Sequence, residues 1–173
     1  MRGLTEKRGR YLLESKTHEK LRYYVSDRWA GLKHGIFTRH GGASPQPWGT
    51  LNVGSTVGDD RTHVLDNHER MYVALGVRGD RACTTWQVHG TDVVIANGPV
   101  AGRRWLDKAD ALITDRADTP LVQRFADCTP LLFHDPRQGV IGLAHAGWRG
   151  TVAGMAASTV AAMCDAYGCR PSD

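Results

Sequence analysis

His89, Cys128 and His145 each stand where an apolar run breaks. The three segments are Trp86-Gln87-Val88-His89-Gly90, Phe125-Ala126-Asp127-Cys128-Thr129-Pro130 and Leu143-Ala144-His145-Ala146-Gly147-Trp148-Arg149-Gly150. Strand ends present side chains to a cleft, and neighbouring glycines let backbone or ligand approach closely. One thiolate and two imidazoles suit Zn²⁺, and three protein ligands leave a fourth position for water or substrate, the pattern of a catalytic zinc. Spacing alone does not prove it. The residues are 39 and 17 positions apart, with no CxxC or HxxxH pair among them. A plainer reading makes Cys128 a small buried hydrophobe and the histidines hydrogen-bonded core residues. A second enzymatic reading makes Cys128 a nucleophile activated by His145, in a thiol hydrolase or amidase acting on cell-wall precursors. A third is a non-catalytic, zinc-stabilised interaction domain, for which His134 is the one nearby candidate fourth ligand.

The other candidate ligands read as structural. Cys164 and Cys169 straddle a helix end with no histidine beside them, and Cys83 lies in a strand-like run. His63 and His68, five apart, do not share a helix face well.

Elements that could position the three residues are legible. A strand is expected near Leu21–Val25 and another at Gly35–Thr38, running into a long Gly/Ser/Pro loop from Arg39 to Asp60. Val64, His68, Met71, Tyr72 and Leu75 then fall on one face of a helix, with Asp60 as N-cap and Gly76 after its end. Strand-like runs follow at Cys83–Val88, Asp92–Ala96, Ala109–Thr114, Leu121–Ala126, Pro130–His134 and Val140–Ala144. The turn residues Asp135 to Gly139 predict a hairpin between the last two. A second helix is expected over 151–166, capped by Thr151 and ended by Gly168. The sum is a layered α/β (α+β) single domain with mixed β-sheets flanked by helices. Residues 1–33 are assigned to an arm and first strand, and 34–173 to the domain proper.

The bulk numbers agree with an ordinary globular protein. The chain has 173 residues, 41% hydrophobic and 23% charged, with a formal net charge of +4. No clustered Lys/Arg run points to nucleic acid, and no apolar stretch approaches the roughly 20 residues a membrane span needs. With no signal-peptide pattern at the N-terminus, the expectation is a cytoplasmic protein with reduced thiols.

Six ordered segments carry a resemblance. They are Thr38-Arg39-His40-Gly41-Gly42-Ala43-Ser44, Leu51-Asn52-Val53-Gly54, Val57-Gly58-Asp59-Asp60, Gln87-Val88-His89-Gly90, Ala126-Asp127-Cys128-Thr129-Pro130 and His145-Ala146-Gly147-Trp148-Arg149-Gly150. Together, from about His34 to Ala166, the chain resembles the laccase-domain family, also called YfiH-like or multicopper polyphenol oxidase-like. The resemblance implies a layered α/β fold and a zinc held by His89, Cys128 and His145. It also implies phosphorolysis of purine nucleosides or methylthioadenosine, with adenosine deamination as a side activity. The implied partners are a purine nucleoside and phosphate, in a monomer or homodimer. Family members run on past the helix after His145, through a GPxIG-like stretch and a Cys-Tyr pair. The expectation is that these 173 residues lack that segment, which would complete the substrate pocket.

Phosphorolysis needs an anion site and a proton donor for the departing base. Arg39 and Arg149 are the phosphate candidates, since guanidinium meets phosphate bidentately; Arg149 could equally be a surface residue. Asp127 could be an acid/base or could orient a ligating histidine, unless its side chain turns away. His34 is a second acid/base candidate, with a solvated histidine as its plain alternative. Asn52 and Gln87 suit hydrogen bonds to ligand or within their own loops. Laccase chemistry and copper are disfavoured. Among the eight histidines no two are two apart, and no Met lies in the ligand segments to serve as a blue-copper axial ligand.

Overall fold

The computed structural model describes residues 13–29, 31–102 and 104–172. The N-terminal arm lies outside the described residues as far as residue 12. The chain forms two compact units that divide between Val77 and Arg78, each built around its own sheet.

In the first unit, strands β1 (Leu13–His18), β2 (Leu21–Ser26) and β3 (Ile36–Phe37) form an antiparallel sheet in the order β1-β2-β3. Helix α1 (Arg61–Leu75) has the expected face, with Val64 and Met71 buried. The Asp60 carboxylate accepts from Thr62 N at its start, and Gly76 ends it with φ of 60°. Leu21, Leu51 and Met71 form the core of this unit, packed by Phe37, Val53 and Ala74. A buried side chain of α1 ties the Gly-rich loop to the helix. Asn67, without solvent exposure, accepts from Ala43 N at 2.7 Å. Its amide nitrogen faces Ser44 Oγ (2.9 Å), Thr50 O (3.2 Å) and Asn52 O (2.8 Å). Asp59 closes the same loop by accepting from Ser44 Oγ at 2.6 Å and Asn52 Nδ2 at 2.9 Å.

The second unit carries a four-stranded mixed sheet made of β4 (Val93–Ile95), β5 (Ala111–Thr114), β6 (Thr129–Asp135) and β7 (Val140–Ala146). The order is β4-β5-β7-β6, with β4 parallel to β5 and the other pairs antiparallel. All four residues of β5 are buried, as befits an inner strand covered on both faces. The hairpin of β6 and β7 turns through residues 136–139 as the sequence predicts. Helices α2 (Trp148–Ala153) and α3 (Met155–Tyr167) follow. Met155 of α3 packs on Ala111, Ala144 and Ala146, and Met163 on Ile113 and Val140, so α3 lies across the sheet. No helix among the described residues is long and apolar enough to cross a membrane.

Mixed sheets flanked by helices match the expectation, with two corrections. The single helix expected over 151–166 starts earlier and is broken. Gly154 adopts a left-handed conformation with φ of 90°, which ends α2 and redirects the chain into α3. The runs 83–88 and 121–126 form no strands. An isolated bridge from Cys83 to Leu121 joins the two runs and another from Trp86 to Lys108 ties the first to the segment before β5, and side-chain bonds add to these in place of a full ladder.

Burial pushes the Asp59 carboxyl up, but donors from Ser44, Asn52, Asp60 and His63 together hold it below its ordinary value of 3.8. A carboxylate held low in the folded state stabilises fully above its unfolded value and loses that contribution as pH falls through the folded one. The stability gap between the parent and Asp59→Asn should therefore narrow as urea melts are taken from about pH 6 to about pH 3. A gap that stays constant over that range would refute the linkage.

Candidate metal centre

Three chain segments meet at one end of the second unit's sheet. The register pairs Pro130 with His145 and Thr129 with Ala146, so Cys128, just before β6, arrives level with Gly147, just after β7. On the other side of β7, Ala111 pairs with Ala144. The ladder extends one residue further, because His145 N donates to Asp110 O at 2.7 Å. Asp110 and His145 are thereby neighbours on adjacent strands.

The Asp110 side chain then does most of the assembly. It has no solvent exposure and accepts three consecutive backbone N–H groups, from Val88 (3.0 Å), His89 (3.0 Å) and Gly90 (2.8 Å). His89 sits in this wrap with φ of 62°, a left-handed conformation in which histidine is one of the less disfavoured residues. His145 Nδ1 donates to the same carboxylate at 2.8 Å. Burial pushes Asp110 up, but the donors from Gly90, His145, Val88 and His89 outweigh it and hold the carboxyl below its ordinary value. An ionised partner requires the hydrogen on His145 Nδ1, which leaves Nε2 with its lone pair free to bind a metal.

His89, Cys128 and His145 each offer one ligand atom, all within 4.8 Å of one another. A tetrahedral zinc needs neighbouring N and S ligands about 3.4 Å apart, so small side-chain rotations close the group on an ion. The imidazoles of His89 and His145 meet edge to face, with centroids 4.9 Å apart and planes at 83°. Gly147 makes room for the cluster: a Cβ there would lie 2.9 Å from His89 Cδ2 and 3.1 Å from Cys128 Sγ. Burial raises the Cys128 thiol above its ordinary value, and so do the adjacent Asp127 and the charge of Asp110. Two carboxylates beside a thiol make a poor setting for a free thiolate nucleophile and a good one for a divalent metal. The donor set, the fixed tautomer and this electrostatic balance all fit a metal ion.

The remaining candidates divide by unit. Asp127 is exposed next to the cluster, its Oδ1 accepting from Cys128 Sγ at 3.7 Å. Arg149 is exposed in the first turn of α2, its guanidinium 5.4 Å from the Trp148 ring centre. Gln87 is a brace, donating to Arg124 O at 2.7 Å and accepting from Arg124 N at 3.1 Å, which fixes the His89 segment to residues before Cys128. In the first unit, His34 has both ring nitrogens engaged, with Ser26 N and Leu32 O. Asn52 bonds to Gly54 and Asp59. The Arg39 guanidinium lies against Gly49, where a Cβ would collide with it. His134 on β6 pairs with Ile141, four residues along from Pro130 and so roughly 13 Å from the cluster end; it supplies no fourth ligand. Asp110 is absent from the sequence-derived set. Its signal is a lone carboxylate at the mouth of the apolar run Ala111-Leu112-Ile113, which would be costly unless fully bonded.

Replacing Asp110 by Asn keeps the size but removes the charge and half of the accepting capacity. Affinity for a divalent metal should fall by about 10- to 100-fold, read by chelator competition on folded protein. Unchanged affinity would mean that the carboxylate does not orient the ligands.

Comparison with known proteins places these features in a lineage. Residues 33–173 match the model of the family described as multi-copper polyphenol oxidoreductase laccase. A Streptomyces griseus protein named purine nucleoside phosphorylase ORF3 is 45% identical over 145 residues, covering 82% of this chain and 58% of that protein. Purine nucleoside phosphorylase YlmD of Geobacillus stearothermophilus is 42% identical over 138 residues, covering 76% of this chain and 50% of its own. The crystal structure of YlmD superposes with a TM-score of 0.82 at 35% identity, over 90% of this chain and 59% of that one. The chain spans about half the length of the curated relatives it matches. With the family model covering residues 33–173 and the metal-competent group inside it, the chain belongs to the multi-copper polyphenol oxidoreductase laccase family.

Proposed function

We propose that this chain is part of a zinc-dependent purine nucleoside phosphorylase. The observation that carries the reading is the three-ligand group of His89, Cys128 and His145, held by Asp110, in a chain whose relatives bear that enzyme's name. In the reaction the bond from the sugar's anomeric carbon to the purine nitrogen breaks, a bond to a phosphate oxygen forms, and the departing base takes up a proton. Bound zinc would supply Lewis acidity at the cluster. Asp127, exposed beside Cys128, is assigned the proton transfer to the base. Arg149, on the turn that follows His145, is assigned the incoming phosphate. His34 and Asn52 spend their polar atoms on their own segments and Gln87 on Arg124, and all three act as supports. A three-ligand zinc also suits adenosine deamination, which would proceed without phosphate.

The raised Cys128 thiol disfavours the thiol hydrolase reading. That reading needs a histidine taking the proton of an activated thiol.

The test measures zinc per chain by elemental analysis together with phosphate-dependent release of adenine and hypoxanthine. About one zinc per chain is expected in the parent. Cys128→Ser and His145→Ala should both lose the metal and reduce base release to background, while Cys169→Ala, remote on the α3 end, should change neither. Base release that survives in metal-free Cys128→Ser protein would sink the mechanism.

A further inference from the structure

The outer side of the segment that leads to Asp110 carries an aromatic and cationic cluster that the metal centre does not use. Residues 104–108 run beside 84–86 through backbone bonds from Leu106 N to Thr84 O (2.9 Å) and Trp86 N to Asp107 O (2.9 Å). Leu106 takes the inward place, packed against Cys83, Ala96 and Leu112. Trp105 is left outside, where it meets Trp86 with ring centroids 4.9 Å apart and planes at 50°. Both indoles remain more than a third exposed, at 36% and 38%. The Arg104 guanidinium carbon lies 6.0 Å from the Trp105 centroid. A groove of about 500 Å³ runs along Gly102, Arg104, Trp105, Leu106, Asp107 and Lys108. Among the described lining residues Arg104 and Lys108 are cationic and Asp107 is acidic, one Asp107 oxygen accepting from the Lys108 backbone N–H at 2.7 Å.

Single exposed apolar residues need no explanation, but two indoles in contact, flanked by two cations on a firmly paired segment, form a ligand-sized surface. An indole face takes a planar aromatic ring by stacking, and guanidinium and ammonium groups take an anion. We propose that this groove binds a nucleoside phosphate, its base on Trp105 and its phosphate on Arg104 and Lys108, at a site separate from the metal centre. The phosphate distinguishes this ligand from the neutral nucleoside assigned to the metal centre. The groove therefore gives the chain a second ligand rather than a second view of the first.

Adenosine 5′-monophosphate is the probe, titrated by calorimetry and by quenching of tryptophan fluorescence, with adenosine and inorganic phosphate as the two half-ligands. The whole molecule should bind more tightly than either half. Trp105→Ala should weaken it by about tenfold or more, Lys108→Ala should weaken it and reduce its salt dependence, and Trp105→Phe, which keeps a stacking face, should restore most of it. Metal-free Cys128→Ser should bind as the parent does, so failure of the phosphorylase reading leaves this result standing. Loss of binding in Cys128→Ser would put the nucleotide at the metal centre and overturn the proposal. Binding indifferent to Trp105→Ala would overturn it equally. A single-stranded oligonucleotide held over a hundredfold more tightly than the mononucleotide would replace it with a nucleic-acid surface.

Discussion

A carboxylate removed from water must find a donor for its charge or give the charge up. Asp110 finds four donors, and every geometric feature of the candidate centre follows from which four they are. Three belong to successive residues, so the chain must curl around one point, and His89 takes a left-handed conformation to do it. The fourth is His145 Nδ1, which settles the tautomer and aims Nε2 at the space His89 also faces. The backbone of the same residue pairs with His145 in the sheet, so neither end of the arrangement can drift from the other.

Positive charge is the missing partner in this arrangement. Asp110 and Asp127 lie beside a thiol that burial and both carboxylates keep protonated, and each histidine offers the cluster a ring nitrogen. Among the described residues the charged groups that act on the thiol are acidic. A divalent cation changes the sign of each of these effects at once: it favours the thiolate, uses the free imidazole nitrogens and offsets the carboxylates. The electrostatics therefore support metal binding independently of the ligand count.

Much of this was legible in the sequence, for identifiable reasons. His89, Cys128 and His145 announce themselves because reactive side chains interrupt apolar runs next to glycines, and Gly147 has a steric reason to be glycine at that point. Helix α1 was legible from periodicity and caps, since Asp60 and Gly76 act locally. The division of the last helical region was not, because a lone glycine within a helical pattern does not by itself announce a break, and only the φ of 90° shows it. Segments 83–88 and 121–126 have strand-like composition, yet Gln87, Arg124, Thr85 and Gln123 join them by side-chain bonds instead of a ladder. Asp110 escaped notice because its partners are backbone N–H groups some twenty residues away, which no residue type advertises. Asn67, whose partners lie 15 to 24 residues upstream, is hidden for the same reason.

The family's multi-copper description sits uneasily with the distribution of histidines in this chain. A copper cluster draws on many imidazoles converging on one place, usually in closely spaced pairs, and here no two histidines are two residues apart. Their hydrogen bonds explain where several of them went. His34 spans Ser26 and Leu32, His68 reaches Val53 O and Tyr72, and His63 faces Asp59, all within the first unit. His134 is committed to the far end of β6. Two imidazoles and one thiolate are what converge among the described residues. A soft thiolate with two nitrogens, and no Met in the three ligand segments, suits a redox-inert tetrahedral ion better than a copper centre tuned for electron transfer. The same residues that make the site metal-competent thus fit the proposed phosphorolysis better than an oxidation of phenols.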